Sequence, residues 1–264
     1  MSGFYIGVDG KARKVKGGYI GIDGVARKIK KGYIGDENGV ARLCWSGEFD
    51  PVFANNSWEE IAIACQNGNV PDTWAVGDQK TMTIDGVDYA IDIIGKNHDD
   101  YSDGSGKAPL TFQMHDLYST AYPMNEYNTN IGGWAECKMR SIILPTVLLL
   151  MPNNVQTAIK QVKKITTIGE SQSATVATAD KLFLLSEIET FGTRRNSANT
   201  EGVRYKYYSS GNSLVKHLNG KAQYYWSRSP YYNNAAGFVR VESDGDSDFG
   251  SATNNHAIAF AFCF

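Results

Sequence analysis

The sequence predicts an α+β protein: a small all-β hairpin-repeat module at the N-terminus, then a larger domain of antiparallel strands carrying a few helices. Three observations lead there. A fourteen-residue unit recurs three times before residue 46, turn dipeptides separate short apolar runs throughout, and only a few segments carry helix-capping signals. A chain of 264 residues has room for one sizeable core and a small appendage, which places the expected domains at 1–46 and 47–264.

The repeats read FYIGVDGKARKVK at 4–16, GYIGIDGVARKIK at 18–30 and GYIGDENGVARLCW at 32–45, with Tyr5, Tyr19 and Tyr33 in equivalent places. In each, a Tyr-Ile-Gly strand runs into Asp9-Gly10, Asp23-Gly24 or Asn38-Gly39, and a second strand with alternating apolar and basic residues follows. Asp-Gly and Asn-Gly accept the positive φ angles of a tight turn, so each unit is expected to be a hairpin. One such hairpin buries too little to stand alone, and the array is expected either to cover the main domain or to assemble with other copies.

Beyond Phe49-Asp50-Pro51, Ser57 and Glu60 form an S-x-x-E capping box for a helix over 57–66, with Gly68 as its stop. Strands are expected at Thr81–Ile84 and Val87–Ile94 around the Asp85-Gly86 turn, and at Leu110–Met114 after a polar loop. Trp134 to Leu144 has helical spacing and is expected to end before Pro145, and Asn153 to Lys160 reads as a further short helix. The remaining strands are placed at Lys160–Ile165, Lys181–Leu185, Tyr224–Trp226, Gly237–Val241 and Ala257–Phe262.

Charge divides the chain. The net is −2, yet residues 1–45 hold nine Lys or Arg against four acids, leaving a basic appendage on an acidic body. Neither the balance nor any motif calls for nucleic acid. The start, MSGFYIGVDG, lacks an apolar signal region, and the apolar run Ile142 to Met151 is interrupted by Pro145 and Thr146, so neither Sec export nor membrane insertion is expected. Cys44, Cys65, Cys137 and Cys263 are widely spaced and read as small buried apolar residues.

Catalytic motifs are not in evidence. His98, His115, His217 and His256 are scattered, and there is no H-E-x-x-H, G-x-S-x-G or phosphate-binding glycine loop. Asp99, Asp100 and Asp103 stand among turn formers in HDDYSDGSGK. Asp244, Asp246 and Asp248 alternate as calcium-loop ligands do, without the distal Glu of an EF-hand. The expectation is no cofactor, with calcium at that loop as the alternative to a plain acidic turn.

The segment from Ser229 to His256 carries the functional expectation. Sixteen of its 28 residues are Tyr, Ser, Gly, Asn or Asp, and no lysine follows Lys221. Tyr supplies contact area at low entropic cost while Ser, Gly and Asn hydrogen-bond adaptably, the palette of antibody paratopes. Long loops use the same residues, which is the competing explanation.

WSRSPYYNNAAGFVRVESDG followed by AIAFAFCF resembles the C-terminal part of C-type-lectin-fold variable proteins of diversity-generating retroelements from bacteria and their phages. The likeness extends back through TWAVGDQKTMTIDGVDYAIDIIG, HDDYSDGSGKAPLTFQ, NIGGWAECKMRSIIL and KLFLLSEIE, about Pro71 to Phe264. The N-terminal repeats resemble segments of phage and prophage structural proteins. The resemblance implies a C-type-lectin-like (formylglycine-generating-enzyme-like) domain whose ligand surface comprises Tyr231, Tyr232, Asn233, Asn234, Phe238, Arg240, Glu242, Asp246, Asp248, Asn254 and His256, with Trp226, Arg228, Ala259, Phe260 and Phe262 as scaffold. It implies a non-enzymatic receptor-binding protein, made in the bacterial cytoplasm and carried on a phage tail or fibre. Its expected partners are a host-surface protein or glycan and sister chains, a trimer being favoured. A structural decoration protein and a formylglycine-generating-type oxidase relative are the alternatives. The oxidase needs a metal-binding cysteine pair, and Cys263 sits in a core-like strand distant in sequence from the other three.

Overall fold

The computed structural model describes residues 5–8, 10–14, 18–22, 24–35, 41–46 and 48–264. The turn residues Asp9, Asp23, Asn38 and Gly39 lie outside the described residues; Gly10 and Gly24 do have the positive φ angles, 73° and 76°, that a tight hairpin turn uses. The chain forms two compact units, Met1–Ala75 and Val76–Phe264. The compact units divide after Ala75, the helix that follows the hairpins clustering with them.

In the first unit three antiparallel hairpins follow one another: β1 (Tyr5–Val8) with β2 (Lys11–Lys14), β3 (Gly18–Ile22) with β4 (Val25–Ile29), and β5 (Lys31–Gly35) with β6 (Ala41–Ser46). Each is a separate two-stranded sheet. Helix α1 (Trp58–Asn67) starts at the expected capping box: Ser57 accepts from Glu60 N, Glu60 accepts from Ser57 N at 2.8 Å, and Gly68 closes the helix at φ 66°. Phe53 and Trp58 meet edge to face, as do Phe53 and Trp74, and the Trp74 indole donates to Asp50 O at 2.9 Å.

The second unit is mixed α and β, with small antiparallel sheets and short helices. Its strands and helices in order are β7 (Gln79–Ile84), β8 (Val87–Lys96), β9 (Leu110–Met114), α2 (Gly133–Glu136), α3 (Leu144–Leu150), α4 (Asn153–Ala158), β10 (Val162–Thr167), β11 (Thr175–Asp180), β12 (Leu182–Phe183), α5 (Glu187–Phe191), α6 (Lys206–Ser209), β13 (His217–Leu218), β14 (Lys221–Ala222), β15 (Tyr225–Pro230), β16 (Gly237–Val241), β17 (Ser247–Ser251) and β18 (Ala261–Cys263). The main sheet runs β12-β18-β9-β8-β7, so the last strand is inserted between two earlier ones. Every residue from Ala257 to Phe264 is buried, and Phe112 and Phe262 pack with centroids 5.1 Å apart. A separate sheet, β15-β16-β17, carries the C-terminal segment singled out above.

Asp85 and Gly86, at φ 49° and 76°, make the expected turn between β7 and β8. Elsewhere the expectations need correction. Trp134 to Leu144 is not one helix: Cys137 is extended, Met139–Ile143 forms a single π turn, and α3 runs on through Pro145. Proline sits where the π turn passes into the α-helix, Leu144 N donating to Met139 O, and the widened turn relieves the clash that a proline ring makes with the carbonyl four residues back. The expected acidic turn at 244–248 is shorter: Glu242 N donates to Asp246 O at 2.8 Å, Gly245 takes φ 88°, and Ser247 already begins β17. No described helix is long and apolar enough to cross a membrane.

Candidate functional site

Two groups of residues stand out, one inside the second unit and one on its C-terminal sheet. The inner group is ionic. Lys164, projecting from β10 and 2% exposed, gives its ammonium to Asp99 Oδ1 at 2.5 Å, Glu189 Oε1 at 2.9 Å and the Tyr205 hydroxyl at 2.9 Å. Arg228, on β15 and fully buried, grips Glu189 through both terminal nitrogens, Nη2 to Oε1 at 3.1 Å, and reaches Leu184 O, Ile165 O and Glu201 O. Glu189 Oε2 also closes the capping box of α5 by accepting Ser186 N at 3.0 Å.

Burial alone would raise the Asp99 carboxyl, but the charge and hydrogen bond of Lys164 hold it down at about 2. Glu189 is likewise held low against burial by Arg228 and Lys164. Burial raises Glu201, which accepts from Thr167 N, Thr167 Oγ1 and Ser229 Oγ. A cleft of about 430 Å³ opens beside this group, lined by His98, Lys107 and Lys163 as well as by Asp99, Lys164 and Glu189. All three ammonium protons of Lys164 have acceptors, so the group acts as a cross-tie among the β8–β9 loop, β10, α5 and β15 rather than as a free acid or base. Asp99, expected as a turn former, is instead one anchor of that tie.

The outer group contains most of the residues expected to touch a ligand. On β15-β16-β17, Trp226 pairs with Arg240 and Arg240 with Asp248, so all three lie on one face. Arg240 Nε donates to Glu242 Oε1 at 2.6 Å, Nη1 to His256 Nε2 at 3.2 Å and Nη2 to Asp248 Oδ2 at 3.4 Å, and the guanidinium lies 4.6 Å from the Tyr224 ring centroid. His256 rests on Trp226, with centroids 4.5 Å apart. Burial, then the Arg240 charge, lowers the His256 pKa to about 4. A Cβ on Gly250 would come within 2.8 Å of His256 Nε2 and 2.9 Å of Trp226, so glycine there permits this stack.

Tyr232, Asn233 and Asn234 are exposed in the loop before β16. Asn130, fully buried, braces that loop: its Nδ2 lies 3.1, 3.0 and 2.8 Å from the carbonyls of Tyr231, Asn234 and Gly237, and its own N donates to Ala235 O. Glu187 braces a neighbouring loop by accepting from the backbone N–H groups of Arg195, Asn196 and Ser197. Asn196 in turn reaches Ser247, Tyr232 N donates to Asn196 O, and Arg195 pairs with Asp246.

Three loops, 194–199, 231–236 and 242–246, are thus tied side by side. Arg195, Asn196 and Asn130 were not singled out from sequence; the NIGGWAECKMRSIIL stretch that begins at Asn130 was noted only for its resemblance.

Two expected contacts need correction. Phe238 is completely buried. Strand alternation does set it on the Arg240 face, but only the Arg240 end of that face is open. Tyr231 is 9% exposed and stacks flat on Phe249, centroids 3.9 Å apart, so its ring belongs to the support. Asp246 and Asn254 are exposed, while Arg240, Glu242, Asp248 and His256 are half-buried. Trp226, Arg228, Ala259, Phe260 and Phe262 are buried. Asp244, Asp246 and Asp248 do not converge: Asp244 accepts Asp246 N, Asp246 pairs with Arg195, and Asp248 with Arg240. Among the described residues no group of three or more His, Cys, Asp or Glu is arranged around a metal position.

Residues 111–263, more than half of the chain, match the family described as a domain of unknown function, DUF6273. The chain belongs to the DUF6273 family. The DUF6273 region opens in β9, closes in β18, and contains the whole outer group together with Lys164, Glu189 and Arg228 of the inner one. Asp99 lies ahead of the DUF6273 match. No curated protein and no solved structure matches the chain.

Proposed function

We propose that this protein is a non-enzymatic ligand-binding protein whose C-terminal surface, carried on a C-type-lectin-like domain, recognises a host-surface protein or glycan on behalf of a phage or prophage. The observation that carries the reading is the contrast between surface and support. Tyr232, Asn233 and Asn234 are exposed on a loop whose backbone is fixed by the buried Asn130, beside a loop fixed by Glu187, and next to them Asn254 is exposed and Arg240, Asp248 and His256 are half-buried. Side chains can change on such a surface without unfolding what lies beneath, as a diversifiable binding site requires.

The buried ion network supports the same reading, because it spends its charged groups on each other and so stiffens the frame. The first unit is the mount, joining the domain to a particle or to sister chains, and repeated copies raise avidity through effective concentration. The test is a screen of the full-length chain against bacterial cell surfaces and a glycan panel, followed by hydroxyl-radical footprinting of the complex. Protection of Tyr232, Asn254 and His256 is expected. Protection confined to the cleft at His98 and Lys163 would move the site there, and a surface covered by neighbouring subunits in a purified particle would make this a decoration protein.

A further inference from the structure

Hairpin β3–β4 is exposed in a patterned way. In β3–β4, Tyr19 stands opposite Lys28, Ile20 opposite Arg27, Gly21 opposite Ala26 and Ile22 opposite Val25. Opposed residues share a face and successive residues alternate, so one face carries Tyr19, Gly21 and Ala26 and the other carries Ile20, Ile22 and Val25 with Arg27 beside Ile20. The first face has a notch: Ala26 is exposed, and a Cβ added at Gly21 would meet nothing within 4 Å. The second face has a ridge, Ile20, Ile22 and Val25 being 52%, 42% and 57% exposed.

The pattern recurs in β5–β6. Gly35 lies opposite Ala41 with open space at its Cβ position, Tyr33 shares that face, and Ile34 points to the other. Tyr33 and Ile34 are exposed. The β1–β2 register repeats the Gly–Ala pairing at Gly7 and Ala12.

We propose that these hairpins are covered by the hairpins of other copies of this chain, the ridge of one seated in the notch of the next, in a closed ring of three or more chains. A lone two-stranded hairpin is marginal in water, and β3–β4 is a separate two-stranded sheet with exposed apolar side chains on both faces. The six large apolar side chains exposed on β3, β4 and β5 offer on the order of 700 Å² divided between the two faces, so one contact draws roughly 350 Å² from each chain, less than the ~800 Å² per partner of a standard stable interface, and a closed ring compensates by having every chain make two contacts. Each chain carries both halves of the contact, which favours a second copy over a different partner. Because ridge and notch lie on opposite faces of one hairpin, each face meets a different neighbour and the contact is head-to-tail; such contacts make a ring where the rotation closes and an open filament where it does not, and the closed form is the one proposed.

The inference rests on the first unit's being a mount and is independent of what the C-terminal surface binds. The experiment compares the mass in solution of the full-length chain, by sedimentation velocity, with that of Gly21→Ile/Gly35→Ile. Isoleucine suits a strand and its Cβ meets nothing within 4 Å at either position, so the substitutions are expected to fill both notches with the hairpins intact. The expected result is a native mass of three or more chains, falling to one chain in the variant with unchanged thermal unfolding of the second unit. A native monomer overturns this packing and leaves the first unit only attachment to a particle as its mounting role. A native two-chain particle, or a larger one whose mass survives the substitutions, overturns the packing alone.

Discussion

The Arg240 guanidinium donates to His256 Nε2 at 3.2 Å, which requires that ring nitrogen to be unprotonated. The same guanidinium holds Glu242 and Asp248, so a single residue aligns three side chains across β16, β17 and the following turn. The partly exposed polar groups of the C-terminal sheet are therefore pre-set in geometry, which lowers the ordering cost of any ligand that meets them.

His256 is expected to remain neutral down to about pH 4, below its ordinary 6.5, because burial and Arg240 both disfavour the imidazolium. Between those two values the unfolded chain binds a proton that the native chain does not, so stability falls as pH is lowered through the interval. NMR titration of the His256 ring should show a low midpoint that rises in Arg240→Gln. A midpoint at 6.5 in the intact chain contradicts the arrangement.

Replacing Arg228 with Met strands Glu189 without its strongest partner and is expected to cost about 3–5 kcal/mol in urea unfolding. The network also predicts acid sensitivity. The stability supplied by Asp99 is present above its unfolded value of 3.8 and is lost as pH falls toward about 2. An Arg228→Met protein as stable as the native one would remove the cross-tie from the account.

Asn130→Ala removes the brace of the 231–236 loop, stripping one hydrogen bond each from the carbonyls of Tyr231, Asn234 and Gly237, of which Gly237 keeps Tyr231 N, a loss of about 1–3 kcal/mol. Hydrogen exchange should accelerate at the amides of Tyr231 and Ala236, and ligand affinity should fall even though Asn130 itself is buried. Unchanged exchange in that loop would show that the brace is dispensable.

Gly250→Ala forces a methyl group against His256 and Trp226. Overpacking of this kind costs about 1–3 kcal/mol and should disturb the His256 titration as well as the melting temperature. A neutral substitution would mean that the stack yields easily.

Local signals in the sequence were sufficient for the Ser57–Glu60 cap, the Asp85-Gly86 hairpin, Leu110–Met114 and the repeated hairpins, since each is specified by neighbours in the chain. Composition marked the segment that holds Tyr232, Asn233 and Asn234 and the resemblance named them; their exposure is what the structure adds. What escaped depends on long-range pairing. Asp99, Lys164, Glu189 and Arg228 are scattered along the chain and read singly as turn, surface or strand residues. Ser247–Ser251 was hidden because Asp and Gly signal turns, yet its register against Gly237–Val241 makes it a strand. Phe238 was misassigned because alternation gives a residue's face but not whether that face is covered.

The most direct measurement is the affinity of the full-length chain for a captured cell-surface or glycan ligand, compared with that of Tyr232→Ala/Asn233→Ala/Arg240→Ala. Tyr232 and Asn233 are exposed and Arg240 is half-buried, so the fold should survive, as circular dichroism and thermal unfolding would verify. The account predicts loss of binding with the melting temperature nearly unchanged. Full binding by a folded triple variant would contradict it and place recognition elsewhere on the chain.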